Sequence, residues 1–419
     1  MSSSMQASFE QHPNWPRVSA VIRKIAQAGH EVVLAGGCVR DAWLKKNFHD
    51  FDVATSATPD QVQALFEKTV AVGKAFGVIM VVQDGLAIEV ATFRRDGGYQ
   101  DGRHPTDVHF SSLREDALRR DFTINALYYR VKEKKIVDLV GGVEDLQKRR
   151  ICAVGDPQKR FAEDRLRILR AVRFAAQLDF EIESSTWRAV VQMNSGVSQV
   201  ARERQIEELR KLCQGQAFSK GWTLLEQSHL LKRLLPRLAE LVEEKTSEWF
   251  KAVSELCHFE VPPPFHLQLA WMFYALNEGE AERFVLADLK NLKATLQETT
   301  QAQHFILGLF RLLDPDLRMA KRLRLLDTAL GPWFLEFWPR AKPKQLPILG
   351  DTLALFRRLM DKQGRLPQAL IRGTDLLELG FKPGAELGRV LNESYSLQLE
   401  RGWGRPQLLQ WLKGLPSRS

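Results

Sequence analysis

Apolar and polar positions divide the chain into a first part with short apolar runs and a longer remainder with helical spacing. In the first part, runs at Gly77–Gln83 and Leu86–Phe93 flank Asp84-Gly85, a dipeptide typical of a hairpin turn. After residue 150, apolar residues recur every three or four positions, and at Phe161–Leu178 this spacing predicts one continuous helix. The pattern therefore predicts an α+β fold, in which a small mixed β-sheet precedes a long all-α region.

The overall composition is that of an ordinary globular protein, with 44% hydrophobic and 26% charged residues among 419. A chain of this length exceeds one compact core, so several domains are expected. The net charge of +9 permits nucleic-acid binding. The four cysteines form no C-x-x-C motif, no apolar run approaches membrane-spanning length, and residues 1–16 lack the apolar core of a signal peptide. These features favour a cytoplasmic protein that does not contact a membrane.

A glycine pair follows the first apolar run and predicts a site for an anion. Gly36 and Gly37 come directly after Val32–Leu34, so a strand is expected to end in a tight turn. Without side chains, the backbone N–H groups of such a turn can approach a phosphate closely. Arg40 lies one helical turn further on and is expected to clamp the same anion through charged hydrogen bonds.

Acidic residues near this turn predict a site for a divalent cation. Asp50 and Asp52 are two residues apart, so in a strand their side chains would project side by side. Two such carboxylates repel one another unless a hard cation lies between them. Glu89, on the second strand of the hairpin, would be a third carboxylate if the two strands were neighbours. Each feature alone is commonly an ordinary turn or a solvated face. Together they suit a nucleoside triphosphate with Mg²⁺ and favour nucleotidyl transfer.

Four motifs identify a family. They are G-G-C-V-R-D at 36–41, D-F-D at 50–52, R-R-D-F-T-I-N-A at 119–126 and E-D-R-L-R at 163–167. With them the chain resembles the class II tRNA nucleotidyltransferase/poly(A) polymerase family, which includes the CCA-adding enzymes. The resemblance covers roughly the first half of the chain and returns weakly near 373–388. It implies a nucleotidyltransferase head at 1–150, followed by an all-α neck at 151–215, body at 216–340 and tail at 341–419.

The resemblance also implies roles for individual residues. Asp50 and Asp52 match the metal-binding aspartates, and Glu89 matches a third catalytic carboxylate. The nucleotide-binding positions that it implies are Gly36, Gly37, Arg40, Arg120, Asp121, Asn125, Asp164, Arg167, Arg170 and Arg173. Among these, Asp121 is assigned to the ribose, and Asp164 with Arg167 to the incoming base. The segment Ala201–Leu209 resembles an element that braces the base-reading helix.

The base-reading assignment also follows from hydrogen-bond chemistry. Asp164 and Arg167 are three residues apart, and on a helix they would share one face. A carboxylate accepts from an exocyclic amino group, and a guanidinium donates to a ring nitrogen. Cytosine and adenine offer this combination, whereas uracil and guanine offer the reverse. The alternative for such a pair is a salt bridge within the helix, which is compatible with base reading.

The implied activity is untemplated addition of C and A to tRNA 3′ ends from CTP and ATP, by a two-metal mechanism with Mg²⁺ as cofactor. The segment Arg94–Pro105 is complete, which argues against CC-only addition, and Gly73–Val81 departs from the poly(A) polymerase pattern. Addition of A alone stays open, as does a catalytically inactive RNA-binding relative. The oligomeric state is not indicated.

Basic residues in the second half are candidates for tRNA contacts. One cluster comprises Arg318, Lys321, Arg322 and Arg324, and a second comprises Arg340, Lys342 and Lys344. Each cluster could equally be a solvated helix face. The proline-punctuated segment Trp338–Lys344 is expected to be a linker.

Overall fold

The computed structural model describes residues 2–97, 108–341, 346–361 and 364–415. Its contacts separate two units, residues 1–239 and residues 240–419. The finer division into neck, body and tail stays a prediction. No helix in the described ranges is long and apolar enough to span a membrane.

The described residues of the first unit form eleven short strands. They are β1 Val32–Ala35, β2 Asp52–Thr55, β3 Thr69–Gly73, β4 Val78–Gln83, β5 Leu86–Thr92, β6 Arg94–Asp96, β7 Val108–Phe110, β8 Leu127–Arg130, β9 Lys135–Asp138, β10 Arg150–Ile151 and β11 Glu181–Ile182. Seven of them form one sheet in the order β3-β4-β5-β2-β1-β8-β9. Within this sheet β2 and β5 are parallel, and the other pairs are antiparallel. The expected mixed sheet is confirmed.

Helices surround this sheet and continue beyond it. In the first unit they are α1 Ser2–Glu10, α2 Trp15–Gln27, α3 Gly37–Trp43, α4 Pro59–Leu65, α5 Leu113–Leu118, α6 Gly142–Gln147, α7 Pro157–Glu163, α8 Leu166–Leu178, α9 Ser184–Gln192, α10 Arg202–Cys213, α11 Phe218–Gln227 and α12 Leu230–Leu234, with α13 Pro236–Glu244 crossing the boundary between units. A 3₁₀ turn at Thr123–Asn125 precedes β8. The sheet core contains Val33, Ala54, Phe93 and Tyr128.

The second unit is all-α in the ranges described. Its helices are α14 Thr246–Leu256, α15 Phe265–Leu276, α16 Ala281–Asn291, α17 Leu296–Leu313, α18 Met319–Leu326, α19 Gly331–Ala341, α20 Leu346–Leu359, α21 Gly373–Glu378, α22 Ala385–Arg401 and α23 Arg405–Lys413. Nearly every residue of α15 is buried, since this apolar helix packs against α14, α16 and α17. The α+β fold class is therefore confirmed.

Two sequence predictions about local structure were wrong. The helix expected over Phe161–Leu178 is two helices, because Asp164 has extended backbone and its carboxylate accepts from the Leu166 N–H (3.0 Å) at the start of α8. The expected linker is helical through Ala341, because Phe337 and Trp338 are buried in the second unit. Residues 342–344 of this segment lie outside the described residues.

The glycine-rich loop expected at Arg94–Pro105 is described only in part. Its first three residues form β6, which pairs with β7. Residues 98–105 lie outside the described ranges, so the role expected for this loop stays a prediction.

Gly142 offers a test of how α6 is fitted against the turn that leads into β8. A Cβ atom at Gly142 would lie 2.2 Å from the Thr123 carbonyl oxygen, which is backbone and cannot move independently. We expect Gly142→Ala to lower the free energy of unfolding by about 1–3 kcal/mol through overpacking. The matched control is Gly279→Ala, where a Cβ would meet no described atom within 4 Å. Urea unfolding of both variants measures the difference, and equal effects would contradict the close fit at α6.

Candidate active site

A cavity of about 410 Å³ opens beside β2 and β5 and extends to the start of α8. Seven of the predicted site residues line it, namely Asp52, Glu89, Arg120, Asp121, Asp164, Arg167 and Arg170. The sheet supplies the carboxylates, the turn after α5 supplies Arg120 and Asp121, and α8 with the residues before it supplies the rest. Residues far apart in the sequence thus meet at one cavity that is lined by both carboxylates and arginines.

The acidic side of the cavity depends on the register of two parallel strands. Asp52 on β2 is directly opposite Glu89 on β5, so the third carboxylate expected from the sequence is the cross-strand neighbour. Asp50 precedes β2 and belongs to no strand, which corrects the expectation that both aspartates project from one strand. It lies instead with Asp52 and Glu89 around a second cavity of about 320 Å³. The three carboxylates therefore border two cavities that share Asp52 and Glu89.

The electrostatics of these carboxylates fit a divalent cation. Burial, then the charge of Glu89 and further that of Asp50, raise the pKa of Asp52 to about 6, while Arg120 opposes the shift. Oxygen-only donors suit Mg²⁺, which typically takes one or two carboxylates and completes its shell with water and substrate phosphates. Among the residues the structure describes, no group of three acidic, His or Cys side chains forms a complete metal cage. Substrate oxygens would have to supply the remaining ligands.

Gly36 has a positive φ of 69° and approaches the charged groups more closely than a residue with a side chain could. A Cβ there would lie 2.8 Å from Arg120 Nη1 and 3.4 Å from Asp52 Oδ2. The glycine therefore gives Arg120 room beside the acidic residue. This is a packing reason that the sequence argument about phosphates did not anticipate.

Arg120 is held in place by a buried acidic residue that the sequence analysis missed. Asp116 is 2% exposed and accepts hydrogen bonds from Arg119 (2.7 Å), from Arg120 (3.3 Å) and from the Tyr128 hydroxyl (2.6 Å). Burial alone would raise the pKa of Asp116, but Arg120, Arg119 and the Tyr128 hydroxyl together hold it below its usual value. The signal for this role was weak, because only the fold brings Tyr128 to Asp116.

Arg40 is not among the described residues that line the cavity. It is 6% exposed and donates to both Asp41 oxygens (2.8 and 2.9 Å) and to the Asn125 side-chain oxygen (2.6 Å). Asn125 in turn donates to Asp121 at 3.1 Å. Gly37 is likewise absent from the described lining of the cavity. For Arg40, Gly37 and Asn125, which are not among the described lining residues, a direct role in nucleotide binding stays a prediction.

Arginines on α8 connect this helix to the head and to α10. Arg170 donates to Asp121 at 2.6 and 2.8 Å. Although burial opposes it, Arg170, with hydrogen bonds from Asn125 and the backbone of residue 122, holds the pKa of Asp121 well below its usual range. Arg173 does not line the cavity but pairs with Glu208 on α10 at 2.5 Å, and burial lowers its pKa to about 10. The bracing role expected for 201–209 agrees with this contact.

The two residues expected to read the base both line the cavity, but they do not pair with each other as a salt bridge. Asp164 lies in the break between α7 and α8, and its carboxylate accepts from Arg204 at 3.1 Å. Arg167 donates to Glu163 at 2.7 Å and to the Arg119 carbonyl at 3.1 Å. The expectation that the two residues share one face of a helix was wrong, because Asp164 has extended backbone, and the alternative of a salt bridge between them is not seen among the described contacts. Glu163, the partner of Arg167, and Arg204, the partner of Asp164, both belong to motifs found in the sequence, so these two contacts could have been suspected.

In the first of the two predicted RNA-contacting clusters, the three arginines bind groups within the second unit. Arg318 pairs with Glu393 (2.7 Å) and Glu400 (2.8 Å), and Arg324 donates to the Asn392 side chain at 3.0 Å. Arg322 is 5% exposed and donates to backbone carbonyls. Arg318 and Lys321 are the exposed members of this cluster. The three arginines therefore contribute to packing within this unit, and the interpretation of the cluster as an RNA surface stays a prediction.

A mixed sheet with cross-strand carboxylates, facing arginines across a nucleotide-sized cavity, is the construction of a nucleotidyltransferase head. A family model described as the poly A polymerase head domain matches residues 32–152, and one described as a probable RNA- and SrmB-binding site of polymerase A matches residues 179–241. The chain is 35% identical over 386 residues to the CCA-adding enzyme of Pediococcus pentosaceus, covering 89% of this chain and 90% of that protein. It is 44% identical to that of Bacillus subtilis over 215 residues, which are 51% of this chain and 54% of that one.

Solved structures agree with these matches. The CCA-adding enzyme of Bacillus stearothermophilus in complex with CTP matches with a TM-score of 0.75 at 28% identity. The match covers 96% of this chain and 97% of the chain of that enzyme. The Thermotoga maritima CCA-adding enzyme complexed with tRNA shares the fold, with a TM-score of 0.67 at 20% identity over 98% of both chains. The chain therefore belongs to the tRNA nucleotidyltransferase/poly(A) polymerase family, and the relatives named here are CCA-adding enzymes. Nucleotidyltransferases of this kind generally require a divalent metal.

The Asp116 contacts predict a pH-dependent loss of stability. The folded pKa lies below the usual 3.8, so the charged carboxylate stabilises the fold above that pH, and the stabilisation is lost as the pH falls through the folded pKa. We expect Asp116→Asn to lower the free energy of unfolding by about 3–5 kcal/mol at neutral pH, because the half-buried Arg119 and Arg120 lose their buried counter-charge. The deficit should shrink below pH 3.8.

Urea unfolding at neutral and acid pH measures this deficit in the free energy of unfolding, with the half-buried neighbour Glu115→Gln as control. A deficit independent of pH would contradict the assignment.

Proposed function

We propose that this chain adds C and A to tRNA 3′ ends, in CCA synthesis or repair, from CTP and ATP and without a nucleic-acid template. The observation that carries the proposal is that Asp164 and Arg167 line the same cavity as Asp52 and Glu89. A cavity that offers both a base-complementary pair and metal-suited carboxylates fits a nucleoside triphosphate along its length. The names of the relatives support the same substrates. We place the protein in the cytoplasm, in keeping with a tRNA substrate.

The acidic residues are assigned to nucleotidyl transfer, with Mg²⁺ as the proposed metal. Asp52 and Asp50 would hold it, with Glu89 beside them, and when bound the metal supplies charge stabilisation for attack of the RNA 3′-hydroxyl and departure of pyrophosphate. Arg120 is close enough to Gly36 and Asp52 to add positive charge on the triphosphate side. Asp116 and Tyr128 hold its guanidinium at that position before any substrate arrives.

The base-reading assignment is compatible with the break between α7 and α8 at Asp164. Within the described structure, the guanidinium of Arg167 donates three hydrogen bonds, to the Arg160 carbonyl, the Glu163 carboxylate and the Arg119 carbonyl. A guanidinium has five N–H donors. Donors thus remain for the ring nitrogen of a base. The Asp164 carboxylate shares its oxygens between Arg204 and the Leu166 N–H and still has lone pairs for an exocyclic amine. Because Glu163 and Arg204 fix the two groups separately, the reading edge is rigid, which favours selection of C and A.

Addition of A alone is the second candidate, because the segment that would govern the change from C to A lies mostly outside the described residues. Bacterial poly(A) polymerase is a more distant alternative. Incubation with tRNAs that end at the discriminator base, at C and at CC, with CTP and ATP supplied separately, distinguishes all three. A CCA-adding enzyme extends the first two with CTP and the third with ATP. Extension of only the CC-ending tRNA indicates an A-adding enzyme, and long A tails indicate a poly(A) polymerase.

The assignment of the carboxylates predicts a severe and selective loss of activity. Asp52→Asn removes a metal-suited charge without changing the shape of the side chain. Because the metal contributes several kcal/mol to the transition state, we expect nucleotide addition to fall roughly a thousandfold, with tRNA binding near the wild-type level. The control is Asp84→Asn at the exposed hairpin turn. Single-turnover addition and filter binding separate the two effects, and near-normal addition by Asp52→Asn would refute the assignment.

The base-reading pair predicts a change in nucleotide selection. Arg167→Ala removes the ring-nitrogen donor, so kcat/KM for CTP and ATP should fall roughly tenfold to a hundredfold, for a polar contact of about 1–3 kcal/mol. UTP and GTP use should fall less, and Asp164→Ala should behave similarly. Arg188→Ala on the exposed face of α9 serves as the control. Measurement with all four triphosphates checks this. Unchanged ratios in both variants would place base selection elsewhere.

A further inference from the structure

Asp52 and Asp50 are positioned by different means. Asp52 is the first residue of β2 and is held by pairing with both β1 and β5. Asp50 lies in the segment 46–51, which belongs to no helix or strand. A carboxylate that must stay within a few tenths of an ångström of its working position needs another support there.

The N-terminal segment supplies contacts to the residues on both sides of Asp50. Phe9, near the end of α1, is 0% exposed, and its ring lies 5.7 Å from that of Phe48 and 6.1 Å from that of Phe51. Trp15, at the start of α2, packs at 5.8 Å from Phe51 and stacks on Phe9 at 6.0 Å. Phe9 also packs on Tyr129 of β8 at 5.1 Å, which fixes the group to the sheet.

His12 completes this group and binds the backbone of the segment directly. Its ring stacks on Phe48 at 5.1 Å with 13° between the planes, and meets Phe51 edge-on at 4.9 Å. The Asn14 N–H donates to its Nδ1 at 3.1 Å, so Nδ1 is unprotonated and Nε2 carries the hydrogen. Nε2 then donates to the Phe48 carbonyl at 3.2 Å. We call this group of five residues, Phe9, His12, Trp15, Phe48 and Phe51, the aromatic clamp.

The clamp borders the site itself. Asn14 and Val18 line the cavity of about 320 Å³ together with Asp50, Asp52 and Glu89. The matched head-domain region begins at residue 32, so Phe9, His12 and Trp15 lie outside what that family model describes, whereas Phe48 and Phe51 lie within it.

We propose that the aromatic clamp is a positioning device for Asp50, with His12 and Phe9 as positioning residues that set its distance from Asp52 and Glu89. The inference rests on the proposed nucleotidyl transfer and deepens it. Burial of the rings anchors residues 48 and 51, and the His12 bond fixes the carbonyl two residues before Asp50. Motion of the intervening backbone is thereby restricted, and the metal-binding carboxylates are held ready.

The test measures metal binding without RNA. The probe is Mn²⁺ in the presence of CTP, followed by the electron paramagnetic resonance signal of the free ion. Changes to residues that orient metal ligands typically weaken binding tenfold to a hundredfold, so we expect His12→Ala to weaken Mn²⁺ binding about tenfold. The unfolding midpoint should stay near that of the wild type. His12→Phe keeps the stacked ring and should recover part of the loss. Gln11→Ala, an exposed neighbour, should bind as the wild type does.

A double-mutant cycle with Asp50→Asn separates positioning from general stability. If the clamp acts through Asp50, His12→Ala should add nothing to the loss caused by Asp50→Asn. Additive losses, or unchanged Mn²⁺ binding in His12→Ala, would overturn the inference. If His12→Ala unfolds at the assay temperature, Phe9→Leu, which keeps an apolar side chain, enters the same cycle. If the variants show this non-additive loss of Mn²⁺ binding but the wild-type chain adds no nucleotide to tRNA, the proposed function is refuted and the positioning role of the clamp stands.

Discussion

The parallel pairing of β2 with β5 places two carboxylates directly opposite each other, and the surrounding site is built to tolerate them. Like charges opposite one another in a sheet are unfavourable, and the pKa of Asp52 rises to about 6 partly for this reason. Arg120 offsets the repulsion, and it reaches the site only because Gly36 has no side chain. A bound divalent cation would relieve this repulsion, which connects the charge pair of the free site to its proposed use.

A network of arginines surrounds Phe174 on α8, the helix that carries Arg167, and connects α8 to the turn at Asp121 and to α10. Arg40, Arg170 and Arg173 surround the ring of Phe174, with guanidinium carbons 5.2, 5.1 and 3.8 Å from its centre. Their charges are met separately, since Arg40 binds Asp41, Arg170 binds Asp121, and Arg173 binds Glu208. The aromatic ring allows three cations to share one region, and each cation holds a different element. Positions that resemble nucleotide contacts in sequence therefore also fix the geometry between sheet and helix.

The N-terminal helices and the arginine network support the site from two directions. The clamp holds the segment that carries Asp50, and the network holds α8 against the turn that carries Asp121. Between them the sheet fixes Asp52 and Glu89 through backbone pairing. Nucleotidyl transfer depends on position and charge more than on covalent chemistry by the protein, so rigid support of this kind is what the proposed reaction requires.

The sequence by itself determined the class of fold, the hairpin at Asp84-Gly85 and seven of the residues that line the cavity, because these depend on local periodicity, turn chemistry and motifs. It also paired Glu89 with the aspartates conditionally, on the assumption that their strands were neighbours. Only the tertiary structure decided that register, the break at Asp164 and the partners of each arginine. Those depend on contacts between residues distant in sequence, as when Asp116 meets Tyr128 or Arg204 meets Asp164. The basic cluster at 318–324 shows the same limit, since charge alone cannot tell a cation facing solvent from one that already binds a carboxylate within the fold.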